Sequence, residues 1–294
     1  MTCVRQAWLT MGAATVQLHD EAAGYFVTSL DLGSPDVREV VNPRPDADGI
    51  DDRTRLLGGR VVSVDISAIS DAGAQIDAVA ASFAPFMVPR ARPVLHYVLD
   101  RPGAPERTLI VRASAYAFKV DDDHQRDIQL QWIAADPVAR DPTVKTATAT
   151  AGGTVGGGRV YNLAFPRTYP AGGGSPSAAI IHSGGDVAVQ PALRIYGPIT
   201  GARVTITTPD ATSFQVWFVS SFTIGAGAFV DVDTNAKTAY YNGDRTQNML
   251  GRLDWPNVRW PVLPVGVDNT MTLTGNATTG ITQVVATWQD GYLS

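Results

Sequence analysis

Val62, Val64 and Ile66 alternate with Val61, Ser63 and Asp65, the period-two signature of a half-buried strand. The same period marks residues 15–18, 25–31, 94–99, 108–118 and 127–133. In the last of these, Ile128, Leu130 and Trp132 face one way while Gln129 and Gln131 face the other. The period changes once. Ile76, Val79, Ala80 and Phe83 stand at i, i+3, i+4 and i+7, which predicts a helix with one buried face. Ser70 or Asp71 supplies its N-cap oxygen. Pro85 stops it, because a proline disfavours helical backbone at the residue before it. Asp136-Pro137 closes the last strand, since proline lacks the donor that a central strand needs.

Beyond residue 178 the β runs become short and frequent: 178–182, 192–196, 203–207, 214–219, 229–232, 238–241, 271–274 and 283–288. Short strands separated by turn residues predict a two-sheet sandwich of jelly-roll type. One hairpin is explicit. Phe229-Val-Asp-Val232 runs through the polar turn Asp233-Thr-Asn-Ala-Lys237 into Thr238-Ala-Tyr-Tyr241, which Asn242-Gly243 closes. Two stretches carry no β period. Residues 33–59 are polar and turn-rich, with Asn42-Pro-Arg-Pro45 and acids at Asp46, Asp48, Asp51 and Asp52. Residues 146–158 are small and uncharged, and with the glycines at 172–174 they read as a connection. The expected layout is therefore mainly β. A β-barrel-like domain with one helix and a long belt loop occupies 1–145, a linker and loop 146–177, and a β-sandwich 178–294.

Composition agrees with two cores of ordinary size. The chain has 294 residues, 45% hydrophobic and 17% charged, with 28 Gly and 19 Pro for its turns. The cations are 20 Arg and 3 Lys, and the net charge of −5 argues against a protein that reads or condenses DNA. A lone cysteine, Cys3, makes neither an intrachain disulfide nor a thiolate metal site. The first residues lack a basic stretch followed by a long apolar run, so no secretory leader is expected there. The most apolar helical stretch, 72–88, holds Gln75, Asp77 and Pro85, so no membrane insertion is expected.

The residues offer little chemistry. Histidines 19, 96, 124 and 182 form no metal-ligand spacing. No serine sits in G-x-S-x-G, although a triad is defined by geometry and not by order. The glycines at 152–158 are followed by Arg159-Val160 and not by the Gly-Lys-Ser/Thr that ends a phosphate loop. Asp121-Asp-Asp123 reads as a solvated hairpin tip more readily than as a calcium site. No catalytic, cofactor or metal residues are assigned, and no enzyme activity is expected. Trp255, Trp260 and Tyr240 are candidates for stacking on sugar rings, since jelly rolls often carry lectin sites.

The order of these marks resembles the distal tail proteins of siphophages. In the amino-terminal half the likeness rests on the polar stretch 33–59 leading into Arg60-Val-Val-Ser-Val-Asp65, the helix closed by Pro85, and Trp132-Ile-Ala-Ala-Asp-Pro137. In the carboxy-terminal half it rests on Ser183-Gly-Gly-Asp186, Pro191-Ala-Leu-Arg-Ile-Tyr-Gly197, Val230-Asp-Val-Asp233, Tyr241-Asn-Gly243 and Leu263-Pro-Val-Gly266. The usual asparagine after the late glycine is displaced to Asn269. The resemblance implies a non-enzymatic structural hub of the virion, assembled in the host cytoplasm. It implies a ring, usually a hexamer of this chain, joining the tail tube to the baseplate or tail tip. The first domain would close the ring through the belt loop, with Asn42, Arg44, Asp46, Asp48, Asp51 and Arg53 as interface residues. The second would face outward and dock fibre or receptor-binding proteins. A carbohydrate-binding tail protein is the alternative, and a tail-associated depolymerase a third reading. If DNA passes through the ring, acids such as those at 46–52 or 121–123 are expected to face the channel, because basic walls would hold phosphates.

Overall fold

The computed structural model describes residues 4–38, 42–43, 50–51, 56–69, 73–120, 125–151, 177–277 and 282–293. The chain forms two compact units. The first comprises residues 1–142 with 292–294, the second 143–291.

The first unit opens with β1 (Val4–Met11), β2 (Ala14–Gln17) and β3 (Tyr25–Asp31). Next come the short pairs β4 (Val37–Arg38), β5 (Asn42–Pro43), β6 (Ile50–Asp51) and β7 (Leu56–Leu57), then β8 (Arg60–Ile69) and α1 (Gly73–Phe83). After a 3-10 turn at Ala84–Met87 follow β9 (Val94–Leu99), β10 (Glu106–Ile110), β11 (Arg112–Val120), β12 (Gln125–Ala134) and β13 (Ala139–Arg140). Antiparallel ladders run in the orders β2-β1-β9-β10-β13 and β11-β12-β8-β3. The inward residues of the two sheets make one core. Val62, Val64, Ile66, Leu95, Tyr97, Ile128, Leu130 and Trp132 are all buried, and Ile76, Val79 and Phe83 of α1 pack on it. Pro85 ends the α-helix as expected, and it does so inside the 3-10 turn.

Two differences from the sequence reading are informative. β1 was not foreseen: only Ala7 and Leu9 of its residues are buried, too short an alternation to stand out. The run 108–118 is two strands, broken at Val111. There the buried side chain continues the alternation while the N–H turns aside to Pro93 O at 2.9 Å, carrying the chain from one sheet to the other.

Two arginines are buried in this unit, Arg60 at 1% and Arg107 at 2% exposure. Long charged side chains are almost never fully buried without partners. Those partners include the end of the chain. Arg60 Nη1 donates to Leu293 O at 3.4 Å and Nη2 donates to Pro137 O. The Arg107 guanidinium lies 4.2 Å from the centre of the Tyr292 ring. Burial lowers the Arg60 pKa, and burial raises that of Tyr97 while the two arginines oppose the rise.

The second unit contains β14 (Lys145–Thr150), β15 (Ala179–His182), β16 (Ala192–Tyr196), β17 (Ile199–Thr207), β18 (Ser213–Trp217), β19 (Thr223–Ile224), β20 (Phe229–Asp233), β21 (Thr238–Tyr241), β22 (Asp268–Ala277) and β23 (Gln283–Trp288). The two sheets, ordered β14-β23-β16-β20-β21 and β15-β22-β17-β18, enclose a second core that includes Ile181, Leu193, Ile195, Val204, Val230, Val284 and Trp288. The Thr-Ala run at 146–150, read as connection, is strand β14, paired with β23 from Lys145↔Trp288 to Thr150↔Gln283. Ala149 faces the core and the threonines alternate with it.

The connection from β21 to β22 seals one side of the sandwich. Its residues 247–249 bond to Ala239 and Tyr241 on the β21 edge. Further on, Leu253, Asp254 and Arg259 pair with Phe218, Trp217 and Gln215 on the β18 edge. Unpaired sheet edges invite association, and here chain covers both. The Ser183-Gly-Gly-Asp186 motif also gains a reason. A side chain at Gly185 would collide with the backbone of Gly291, whose carbonyl accepts from Asp186 N at 2.8 Å.

The β20–β21 hairpin forms in the expected register, Val230↔Tyr241 through Asp233↔Thr238. Asn242 has φ 51, and its Oδ1 accepts from Phe229 N at 2.9 Å. Asn242→Ala is expected to cost about 1–2 kcal/mol, from the lost bond and the left-handed backbone. Urea denaturation would measure it, and Asn242→Gly should recover part of the loss.

Candidate functional site

The most reactive-looking constellation lies on the first unit. His96 Nδ1 is 2.6 Å from Glu106 Oε1, and its Nε2 is 2.9 Å from Thr10 Oγ1. Trp8 stacks on the ring at 5.1 Å with an interplanar angle of 10°. Acid, imidazole and hydroxyl stand in the order of a nucleophilic triad. The sequence did not show it, because the three come from different strands. The setting does not suit catalysis. Thr10 and His96 sit in β1 and β9, each flanked by a strand on both sides, so the backbone N–H groups nearby are committed to ladders and do not offer an oxyanion hole. The group reads as a cross-strand network on a sheet face. Among the described residues, no group of three or more His, Cys, Asp or Glu is placed to hold a metal ion, and no helix is long and apolar enough to cross a membrane.

The expected belt loop is built as a two-stranded arm where it is described. Asp36 bonds with Gly58 and Gly59, β4 pairs with β7 and β5 pairs with β6, each pair antiparallel. Asn42 and Asp51 are directly opposite each other. Arg44, Asp46, Asp48 and Arg53 lie outside the described residues, as do the acids at 121–123 and the N-cap candidates Ser70 and Asp71. Gly33, with φ 62, starts the arm where a side chain would strike the carbonyl of Val61.

Trp255 and Trp260 come together, ring centres 6.4 Å apart and edge to face. Trp255 is 53% exposed on the 3-10 turn Trp255–Asn257, whereas Trp260 packs against the core. Tyr240 does not join them. It stands on β21, in the other sheet, opposite Asp231.

Two surfaces of the first unit suit contact with other molecules. An apolar cleft of about 520 Å3 lies between the end of α1 and β11, lined by Ala80, Ala81, Ala84, Met87, Val88 and Tyr116. Val88 and Tyr116 are 49% and 59% exposed, and β11 is the edge strand of its sheet. The outward face of the same sheet is different in kind. Ser63, Asp65, Gln129 and Gln131 line it with Ala115 and Ala117, and no cation is in that lining.

No family model matches the chain, and no curated protein matches it in sequence. Solved structures do. The crystal structure of the SPP1 Dit protein (gp 19.1), described as a paradigm of the hub adsorption apparatus in phages that infect Gram-positive bacteria, aligns over 98% of this chain and 99% of its own, with 13% identity and a TM-score of 0.61. A chain of the phage P2 baseplate in its activated conformation aligns over 96% of this chain and 97% of its own, with 10% identity and a TM-score of 0.48. The chain has the fold of the SPP1 protein from end to end, including both of its units.

Proposed function

We propose that this chain is the structural hub of a phage tail, a ring-forming distal tail protein that joins the tail tube to the baseplate or tail tip and works without catalysis. The observation that carries the reading is the likeness to the SPP1 Dit protein over essentially the whole of both chains. Likeness confined to one sandwich would say little, because such folds host many functions.

The surfaces of the first unit support the assignment. A closed ring is built from heterologous, head-to-tail contacts, which require two unlike patches on each subunit. The paired segments β4–β7 and β5–β6 are one such patch. The apolar cleft beside β11 is the other, and it receives a neighbouring copy. We infer that the sheet face bearing Ser63, Asp65, Gln129 and Gln131 faces the channel, where that hydroxyl, carboxylate and the amides carry no positive charge for passing phosphates to bind. The second unit faces outward and anchors the fibre or receptor-binding proteins.

Light scattering and negative-stain imaging of the purified protein test this. A ring with an open centre, usually of six copies, is the expected result. A protein that stays monomeric both alone and with its tail-tube partner would remove the reading.

A further inference from the structure

We propose that the outward face of the sheet β14-β23-β16-β20-β21 binds an uncharged saccharide, through a fixed Arg194–Asp231 pair flanked by aromatic rings. The inference does not depend on the hub reading, since it concerns the second unit alone.

Arg194 Nε donates to Asp231 Oδ1 at 2.6 Å and Nη2 donates to Asp231 Oδ2 at 3.0 Å, a two-pronged contact. The guanidinium also lies 4.3 Å from the centre of the Phe229 ring, and Tyr196 leans on that ring at 5.9 Å. Asp231 and Tyr196 both favour the charged form of the arginine, raising its pKa. The group is therefore oriented before any ligand arrives, which reduces the entropy lost on binding.

Most cross-strand ion pairs stand on a plain surface, but this one lines a cleft of about 460 Å3 with Ala192, Tyr196, Val285 and Thr287. That volume lies within the usual range of roughly 300–1,000 Å3 for small-ligand sites. The chemistry on its walls is mixed in a particular way. The two bonds to Asp231 leave guanidinium N–H groups over, and a carboxylate has more lone-pair directions than the two they fill. Donor and acceptor thus sit side by side, matching two adjacent hydroxyls, each of which both donates and accepts. Tyr196, which lines the cleft, offers ring surface to the C–H face of a sugar. The pair neutralises itself and Asp233 adds negative charge to the lining, so an anionic ligand is disfavoured. The cleft thus selects against phosphate and for a neutral polyol. It also moves the expected sugar contact from the Trp255–Trp260 pair to the other sheet.

Saturation-transfer NMR with the methyl glycosides of glucose, galactose, mannose and rhamnose tests the proposal on the full chain. Transfer from at least one is expected, with amide shifts on 192–196 and 229–233 when the labelled wild-type protein is titrated. Arg194→Ala and Arg194→Lys should each weaken binding by at least about tenfold, the equivalent of one hydrogen bond to a charged group. Lysine keeps the charge but not the planar fork. Trp255→Ala should bind as wild type. Absence of transfer from all four glycosides overturns the proposal. So does loss of binding in Trp255→Ala alone, or displacement of the sugar by inorganic phosphate. The shift map needs no variant, so it decides the matter even if the Arg194 substitutions unfold.

Discussion

Deleting Tyr292, Leu293 and Ser294 is expected to destabilise the first unit by roughly 3–5 kcal/mol while leaving the second nearly unchanged. The figure combines a hydrogen bond to a charged group, worth about 1.5–3 kcal/mol, with a desolvated cation–π contact worth about 2. Arg60 loses its Leu293 acceptor and Arg107 loses the Tyr292 ring, and both guanidinium groups remain in a dry site. Arg60 keeps Pro137 O and Arg107 keeps Tyr97, yet a buried charge that loses part of its compensation costs more than an absent one. Arg60→Met, which keeps most of the stem and removes the charge, should therefore be less harmful in the truncated chain than in the intact one. Amide hydrogen exchange resolves the two units and gives the readout. Faster exchange is expected in β8 and β9, with β16 and β17 unaffected. Uniform loss across both units, or none in either, would count against the clamp.

The second large effect concerns assembly. If the chain forms the proposed ring, Val88→Asp combined with Tyr116→Asp should convert it to monomers at nearly unchanged melting temperature. Both side chains are about half exposed, so neither contributes much to the core, and surface substitutions usually change stability by no more than about 0.5 kcal/mol. In an interface the same carboxylates would be desolvated without partners, a cost large enough to abolish a repeated contact. Light scattering distinguishes the outcomes. A ring that survives both substitutions would show that the cleft is not where neighbours meet, and shortening the arm would then be the next variant to make.

Much of this architecture was written in local periodicity. β3, β9, β16, β21 and β23 run between the residues that the alternation marked, and Trp132, Leu130 and Ile128 face inward as their spacing required. What could not be read locally was pairing. β14 consists of small residues that suit a linker equally well, and only its partner β23, far along the chain, makes it a strand. The break at Val111 was hidden because Val111 keeps to the buried alternation of Arg107 and Leu109 before it. The same limit applies to surfaces. Trp255 and Trp260 are neighbours in sequence and meet in space, whereas Arg194 and Asp231 join two strands that no short pattern links. The Thr10–His96–Glu106 network was equally invisible, since nothing about a threonine in a strand announces a histidine 86 residues away.

The chain leaves the first unit at Pro142 and re-enters it at Tyr292. Genetically, the sandwich is thus a cassette spliced into its host, and not an appendage added after it. Recombination that exchanges residues 143–291 for another module with closely spaced ends would preserve β1 to β13, and with them the arginines and Tyr292 of the clamp. A simple truncation would not. Under the proposed function, such a layout would let an outward-facing module be replaced wholesale while the ring-forming unit is inherited intact.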